Sequence, residues 1–372
     1  MNTHSPSRAL IYIDTAALIH NYRTLSDYAA KKAARVPRII AIVKANAYGH
    51  GLAIATRAFL QAGCDFFGVA TLDEAIQVRK IAPFADILVL GYTPPHRARA
   101  LARGNITQTV FSLAYATALG EAATALGVTI PIHIKIDCGM HRLGFAPDTQ
   151  GDILNAATKK GLRSTGIYTH FPVADSDTVA TKRALDAFLA CEKRLARSFA
   201  PLFTHAAASA ALLTLPESIL NGVRPGLALY GISPVPTALP LRPALTLFSH
   251  IVQVHDLPVG TPVGYGGAFT TKVPSRIGTV PLGYGDGIPR RFSGQTVRVF
   301  HQNHVFSAPI VGRICMDQMM LDLTATPAEA GDAVQIFEDI RKTATALDTI
   351  PYEVLTALSP RIKRKTQTSK GE

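Results

Sequence analysis

Between about residue 12 and residue 230 the sequence alternates short β-rich runs with longer amphipathic stretches, and nothing else in it constrains the fold as strongly. The β-rich runs are Arg38–Val43, Phe66–Ala70, Ile87–Leu90, Thr107–Val110, Ile132–Ile136, Arg163–Tyr168, Leu202–His205 and a weaker one around Ile219–Val223. The first six are short, rich in Ile, Val, Leu or Phe, and followed by Gly, Asn, Asp or Pro, which is how a bounded strand reads. Between them, Leu18, Tyr22 and Leu25 recur at helical spacing, and Asp73–Ile81, Ser112–Leu126 and Asp177–Phe199 carry the same pattern. Strand–helix alternation makes a parallel sheet. Eight repeats over this length match a (β/α)8 barrel. A doubly wound open sheet would show G-x-G-x-x-G after the first run, and none is there.

After Tyr230 the pattern changes. SPVPTALPLRP is a proline-rich linker. Beyond it LTLFSHIVQVHDL alternates, turns recur through VGYGG, PLGYGDG and SAPIVG, and helical patterns are absent until about residue 340. The expectation is therefore an α/β barrel over residues 1–240, its first ten or so residues able to pack with the second domain, and a mostly-β C-terminal domain over 241–372. A chain of 372 residues is long for a single core, so two domains fit. MNTHSPSRAL lacks the charged start and apolar stretch of a signal peptide, and no apolar run reaches membrane-spanning length. Cys64, Cys138, Cys191 and Cys315 lie far apart without a C-x-x-C pair, which suits reduced thiols in a cytoplasmic protein and neither disulfides nor a metal site. The net charge of +12 is spread along the chain, except for Arg361, Lys363, Arg364 and Lys365. Without clustering and a reading element it implies no nucleic-acid partner.

In such a barrel, functional groups gather at the C-terminal ends of the strands. The first run leads into Lys44; the fifth contains Lys135 and leads to Arg142; the sixth leads to His170, the seventh to His205 and Ser209, the eighth to Arg224. A lysine closing an apolar strand is partly desolvated, which frees its amine to form a Schiff base with a substrate or with pyridoxal phosphate. A snorkelling surface lysine fits the position of Lys44 equally well.

The neighbourhood of Lys44 is more specific. AIVKANAYGHG resembles the cofactor-lysine motif of the alanine racemase family through every residue of KANAYGHG. The resemblance implies that Lys44 holds pyridoxal 5'-phosphate and that Tyr48 lies near its phosphate. KIDCGMHRLG resembles the family's K-x-D-x-G-M-x-R-x-G segment, which implies that Arg142 bonds the cofactor phenolate and places the substrate carboxylate. Lys135 matches a lysine carbamylated in many members, although an ordinary ion pair is the plainer reading. YTHFPVAD implies His170 beneath the pyridine ring, hydrogen-bonded to the arginine after strand eight, and Asp175 on the substrate route. In GVRPGLALYG, Arg224 matches an arginine facing the pyridine nitrogen. A guanidinium cannot take the proton that a carboxylate would hold there, so the ring is a weaker electron sink and transamination is suppressed. Ser209, Gly226 and Leu227 match the phosphate positions, in the loops where barrels of this type often bind phosphate.

Moving a proton from one face of a carbon to the other is best served by two bases. PVGYGGAF resembles the family's tyrosine motif and makes Tyr265 the second base, reaching the site from a partner subunit. A phenol gives up its proton only with help near neutrality, and His170 linked to Arg224 is the expected helper. PLGYGDGIPRR and VGRICMDQMM imply Tyr284, Arg290 and Arg313 at the entrance and Met316 beside the substrate methyl; YEVLTALSPR implies Tyr352 as a phosphate ligand. The implied protein is a homodimer that interconverts L- and D-alanine for peptidoglycan. Ala208 departs from the pattern, since many members carry asparagine there. Alternatives are a racemase of broader specificity, acting on serine or lysine, and a barrel-type decarboxylase, which would want an acidic group where Arg224 stands. A non-enzymatic cofactor-binding barrel would lack the 241–372 domain.

Overall fold

The computed structural model describes residues 7–196 and 203–367. The chain divides into two compact units, one of Ala16–Ala47 and Leu52–Pro243, the other of Met1–Thr15, Tyr48–Gly51 and Ala244–Glu372. Strands are numbered along the chain, and β1 (Ala9–Asp14) belongs to the second unit.

The first unit is a closed parallel barrel of β2 (Arg38–Ile42), β3 (Phe66–Val69), β4 (Asp86–Val89), β5 (Thr107–Val110), β6 (Ile130–Lys135), β7 (Leu162–Tyr168), β8 (Phe203–Ala208) and β9 (Gly222–Arg224). β9 pairs back onto β2 through Arg38↔Gly222 and Ile39↔Val223. Residues of β3, β5 and β6 are buried throughout, as befits strands covered on both faces. Three of the helices start on side-chain caps: Thr71 for Leu72–Ile81, Ser112 for Leu113–Ala125 and Asp177 for Thr178–Leu195. The end of the expected Asp177–Phe199 helix and Leu202 lie outside the described residues.

Three strands differ from their expected spans by more than one residue at an end, for local reasons. β6 begins earlier, at Ile130, because Ile130 and Pro131 pair with Leu162 and Arg163, although the missing N–H of Pro131 argues against a strand in the sequence. β8 runs on to Ala208 through alanines, which carry little β signal. β9 starts at Gly222, not Ile219, because Pro216–Ser218 forms a 3-10 turn whose carbonyl at Pro216 accepts from Ile219 N at 3.0 Å.

The second unit is a mostly antiparallel sheet in the order β11-β14-β17-β16-β15-β18-β10-β1-β19. Its members are β10 (Leu245–His250), β11 (Gln253–Leu257), β14 (Ser275–Val280), β15 (Thr296–His301), β16 (His304–Val311), β17 (Met319–Asp322), β18 (Ala333–Gln335) and β19 (Lys363–Gln367). β1 lies between β10, which it pairs antiparallel, and β19, which it pairs parallel. A separate ribbon joins β12 (Pro262–Val263) to β13 (Phe269–Thr270), and two short helices, Ile340–Ala346 and Pro351–Thr356, precede β19. No helix among the described residues is long and apolar enough to cross a membrane.

Candidate active site

Lys44 stands at the C-terminal end of β2, held in line by Ile42 N to Pro225 O (3.2 Å) and Val43 N to Gly68 O (2.9 Å). Directly after it the backbone enters the left-handed region: φ is 53° at Ala45, 53° at Asn46, 54° at Ala47 and 51° at Tyr48. Side-chain contact with the next carbonyl costs about 1–2 kcal/mol per residue in this conformation. The turn is tied by Ala47 N to Val43 O (2.9 Å) and by Asn46 Oδ1, which accepts from Leu52 N at 2.8 Å. Glu74 grips it from the neighbouring helix. One oxygen accepts from Ala45 N (2.7 Å), the other from Ala70 N (2.8 Å) and Thr71 N (3.2 Å). Sequence reasoning passed over Glu74, whose signal was the T-x-x-E capping box that opens its helix.

Burial lowers the pKa of the Lys44 amine, and the guanidinium of Arg142 lowers it further, with Arg224 adding to the effect and Glu74 opposing it. Arg142 follows β6 in a loop held by Asp137, whose carboxylate accepts from Gly139 N (3.0 Å), Met140 N (2.9 Å) and Arg142 N (3.2 Å). Lys135, the last residue of β6, is buried and donates to Leu143 O at 2.8 Å, a carbonyl and not a carboxylate. Burial first, then Arg142, brings its amine down to about 8.

Arg224 ends β9 and is buried. Nη2 donates to Thr169 O (2.7 Å) and Ala206 O (2.8 Å), and Nη1 bonds His205 Nδ1 at 2.7 Å. Burial lowers the guanidinium to about 10, which leaves it protonated at neutral pH. The imidazole hydrogen-bonded to it is thus His205, on β8, where the sequence suggested His170. The register decides: β8 aims His205 at the guanidinium, whereas His170 lies two residues past the end of β7. His170 still belongs to this rim, and burial followed by Arg224 and Arg142 pushes it down to about 3. Tyr168 stacks on His205, with ring centroids 4.7 Å apart, and Arg224 Cζ lies 5.0 Å from the Tyr168 ring.

Ser209 starts the helix after β8, and its Oγ accepts from Gly226 N (2.9 Å) and Ala228 N (3.3 Å). With both acceptor sites used, its hydroxyl proton is left to donate, beside the N–H of Leu227. An amine, guanidinium groups, a hydroxyl and backbone N–H groups thus share the C-terminal rim of the barrel. This donor set fits an anionic phosphate and a ring nitrogen that accepts hydrogen bonds. Asp175 lies in the loop after β7 and is exposed.

The other expected residues belong to the second unit. Tyr48 and Tyr352 face each other with centroids 5.8 Å apart, and burial raises the Tyr48 phenol. Tyr265 occupies the turn between β12 and β13, where Gly264 (φ 74°) and Gly266 (φ 70°) take conformations that other residues resist. Arg313 reaches the same turn, its Nη1 lying 3.1 Å from where a Cβ on Gly266 would stand. Tyr265 is 69% exposed, Tyr284 44% and Met316 55%, and Arg290 and Arg313 are exposed. Tyr284 N and Gly285 N bond Cys315 O (3.0 Å) and Met316 O (2.8 Å), so the two loops form one plate. Buried Asp286 anchors it through ion pairs with Arg8 and Arg361.

Comparison with known proteins covers nearly the whole chain. The family model for the N-terminal domain of alanine racemase matches residues 13–234, and that for the C-terminal domain matches 244–366. Alanine racemase 1 of Caldanaerobacter subterraneus is 37% identical over 96% of this chain and 94% of its own. An alanine racemase of Helicobacter pylori is 36% identical over 96% and 98%. Among solved structures, the alanine racemase of a D-cycloserine-producing Streptomyces lavendulae superposes with a TM-score of 0.90 at 33% identity, covering 98% of each chain. That of Bartonella henselae, solved with covalently bound pyridoxal phosphate, gives 0.86 at 30% identity over 97% of this chain and all of the other.

Proposed function

Since this chain belongs to the alanine racemase family, we propose that it interconverts L- and D-alanine with pyridoxal phosphate carried on Lys44. The observation that carries this reading is the amine of Lys44, closing an apolar strand and depressed by burial and by Arg142 and Arg224. When bound, the cofactor supplies one thing, withdrawal of electrons that makes the α-proton of an amino acid acidic.

The remaining work belongs to the chain. Nζ of Lys44, uncharged more readily than an ordinary lysine, takes or returns a proton on one face of the α-carbon. Arg224 spends Nη2 and one N–H of Nη1 on fixed partners, leaving Nε–H and the second Nη1–H to donate to a ring nitrogen. A guanidinium there donates without transferring a proton, which favours simple proton exchange over transamination. Ser209, Gly226 and Leu227, with Tyr48 and Tyr352, receive the phosphate. Arg142 places the substrate carboxylate, Met316 faces its methyl group, and Asp175, Tyr284, Arg290 and Arg313 border the route in. Lys135, brought down to about 8, offers more of the neutral amine that carbamylation requires than an ordinary lysine does. Intact-protein mass spectrometry under bicarbonate, with loss of the added mass on acidification, checks that assignment.

The second base is Tyr265 of a partner subunit. Its 69% exposure in the single chain supports a homodimer with shared sites, because a base in bulk water would exchange its proton with solvent freely. The product suits peptidoglycan synthesis, and four free thiols suit the cytoplasm.

Chiral chromatography of the purified protein with each enantiomer of alanine, followed by a panel of all L-amino acids, tests the reading. Alanine is expected to turn over fastest. Full activity in Lys44→Ala would overturn the mechanism, and faster turnover of serine or lysine would change the substrate.

A further inference from the structure

Below Arg224 the barrel interior holds a second imidazole to which the reaction gives no role. His133 on β6 is buried at 3% exposure, and its Nδ1 lies 2.9 Å from His205 Nε2; His205 in turn meets Arg224 at 2.7 Å. The barrel wall is shaped for this ring. The β6–β7 register slips between Ile132, opposite Ser164, and His133, opposite Gly166, so Thr165 is bulged out. A bulge re-aims the side chain beside it. A Cβ at residue 166 would stand 2.5 Å from His133 Nε2, so glycine there makes the room. Phe66 and Phe203 flank the ring, and Arg38 stacks on both, with its carboxylate partners Asp65 and Asp86, closing the column from beneath.

Donor and acceptor rules leave this column one proton arrangement. A guanidinium only donates, so His205 Nδ1 accepts and bears no proton. The single proton of a neutral His205 then sits on Nε2 and donates to His133 Nδ1, which leaves the His133 proton on Nε2. A second proton on either ring would set two donors against each other along the chain. Burial and the charge of Arg224 also disfavour the imidazolium on both rings, with Arg38 adding to it at His133, which is pushed to about 3 while His205 is pushed well down.

We propose that His133 is a positioning residue: by accepting from His205 Nε2–H it fixes the His205 tautomer and thereby the orientation of the Arg224 guanidinium. The link to catalysis rests on the reading that Arg224 faces the pyridine nitrogen.

Holoenzyme labelled with 15N-histidine tests the tautomer by NMR. Two neutral rings, each with its proton on Nε2, are expected; a proton on His205 Nδ1, or a doubly protonated ring at neutral pH, overturns the proposal. The second arm compares His133→Asn, which keeps an acceptor near the Nδ1 position, with His133→Leu, which does not. His133→Leu is expected to lower kcat about tenfold, the loss of one buried hydrogen bond, with KM unchanged and more keto-acid by-product per turnover. His133→Asn is expected to recover most of that loss. Equal behaviour of the two variants would mean that His133 only fills space. If neither folds, the wild-type spectrum decides alone. A wild type that racemises no amino acid refutes the proposed function while leaving the tautomer result to stand or fall by itself.

Discussion

Four consecutive left-handed residues, none of them glycine, follow Lys44, and such strain persists only where the surroundings over-determine it. Ala45 is exposed, so its Cβ can be removed or enlarged without disturbing a core. Ala45→Gly is expected to raise stability by about 1 kcal/mol, and Ala45→Val to lower it by at least as much, read from urea midpoints. The buried imidazoles make a second prediction. His133 is held at about 3, whereas an imidazole in the unfolded chain titrates near the ordinary value of 6.5. Between these values the unfolded chain binds more protons, so stability is unaffected above the window and falls as pH drops through it. Each such group contributes up to about 1.4 kcal/mol per pH unit. The Tm of His133→Asn should therefore fall less steeply between pH 6.5 and acid than that of the wild type, and an equal slope would deny the neutral pair. At this scale the sequence was least informative. His170 and His205 both follow apolar runs, and only the strand register tells which one meets Arg224.

The helix Leu72–Ile81 shows one element serving two ends. Thr71 Oγ1 accepts from Glu74 N at 3.2 Å, while the Glu74 carboxylate reaches both the cap and Ala45 N. Thr71→Ala removes only the cap and should cost about 1 kcal/mol with kcat unchanged. Glu74→Ala also releases the turn that carries Lys44, so a similar or larger stability loss should come with a lower kcat, measured with saturating cofactor. Matching kcat values for the two variants would restrict Glu74 to capping. Elements were the scale at which the sequence spoke most clearly. Apolar bounded runs such as Arg38–Val43 and Thr107–Val110 declare buried strands, and Ser112 and Asp177 declare helix starts. Where the composition was neutral, as along the alanines of β8, or contrary, as at Pro131, the boundary was set by pairing partners far away in the chain. The motif around Lys44 was legible as a motif, but its left-handed backbone was not, because alanine and asparagine do not announce a positive φ.

At the scale of the whole molecule, a site completed by Tyr265 of a second copy predicts complementation. Lys44→Ala and Tyr265→Ala should each be nearly inactive, while mixed dimers regain one intact site of two. After subunit exchange at equal concentrations, about a quarter of wild-type activity should return. No return, with exchange proven by native mass spectrometry, would place both bases in one chain. The position of β1 has a different consequence, for biosynthesis. This strand is made before the other described strands, yet its two sheet neighbours, β10 and β19, are made more than two hundred residues later. The barrel strands are complete at Arg224 and can assemble while β1 waits unpaired. Translation that stops short of Lys363 leaves β1 with one edge open, a template on which another chain can pair.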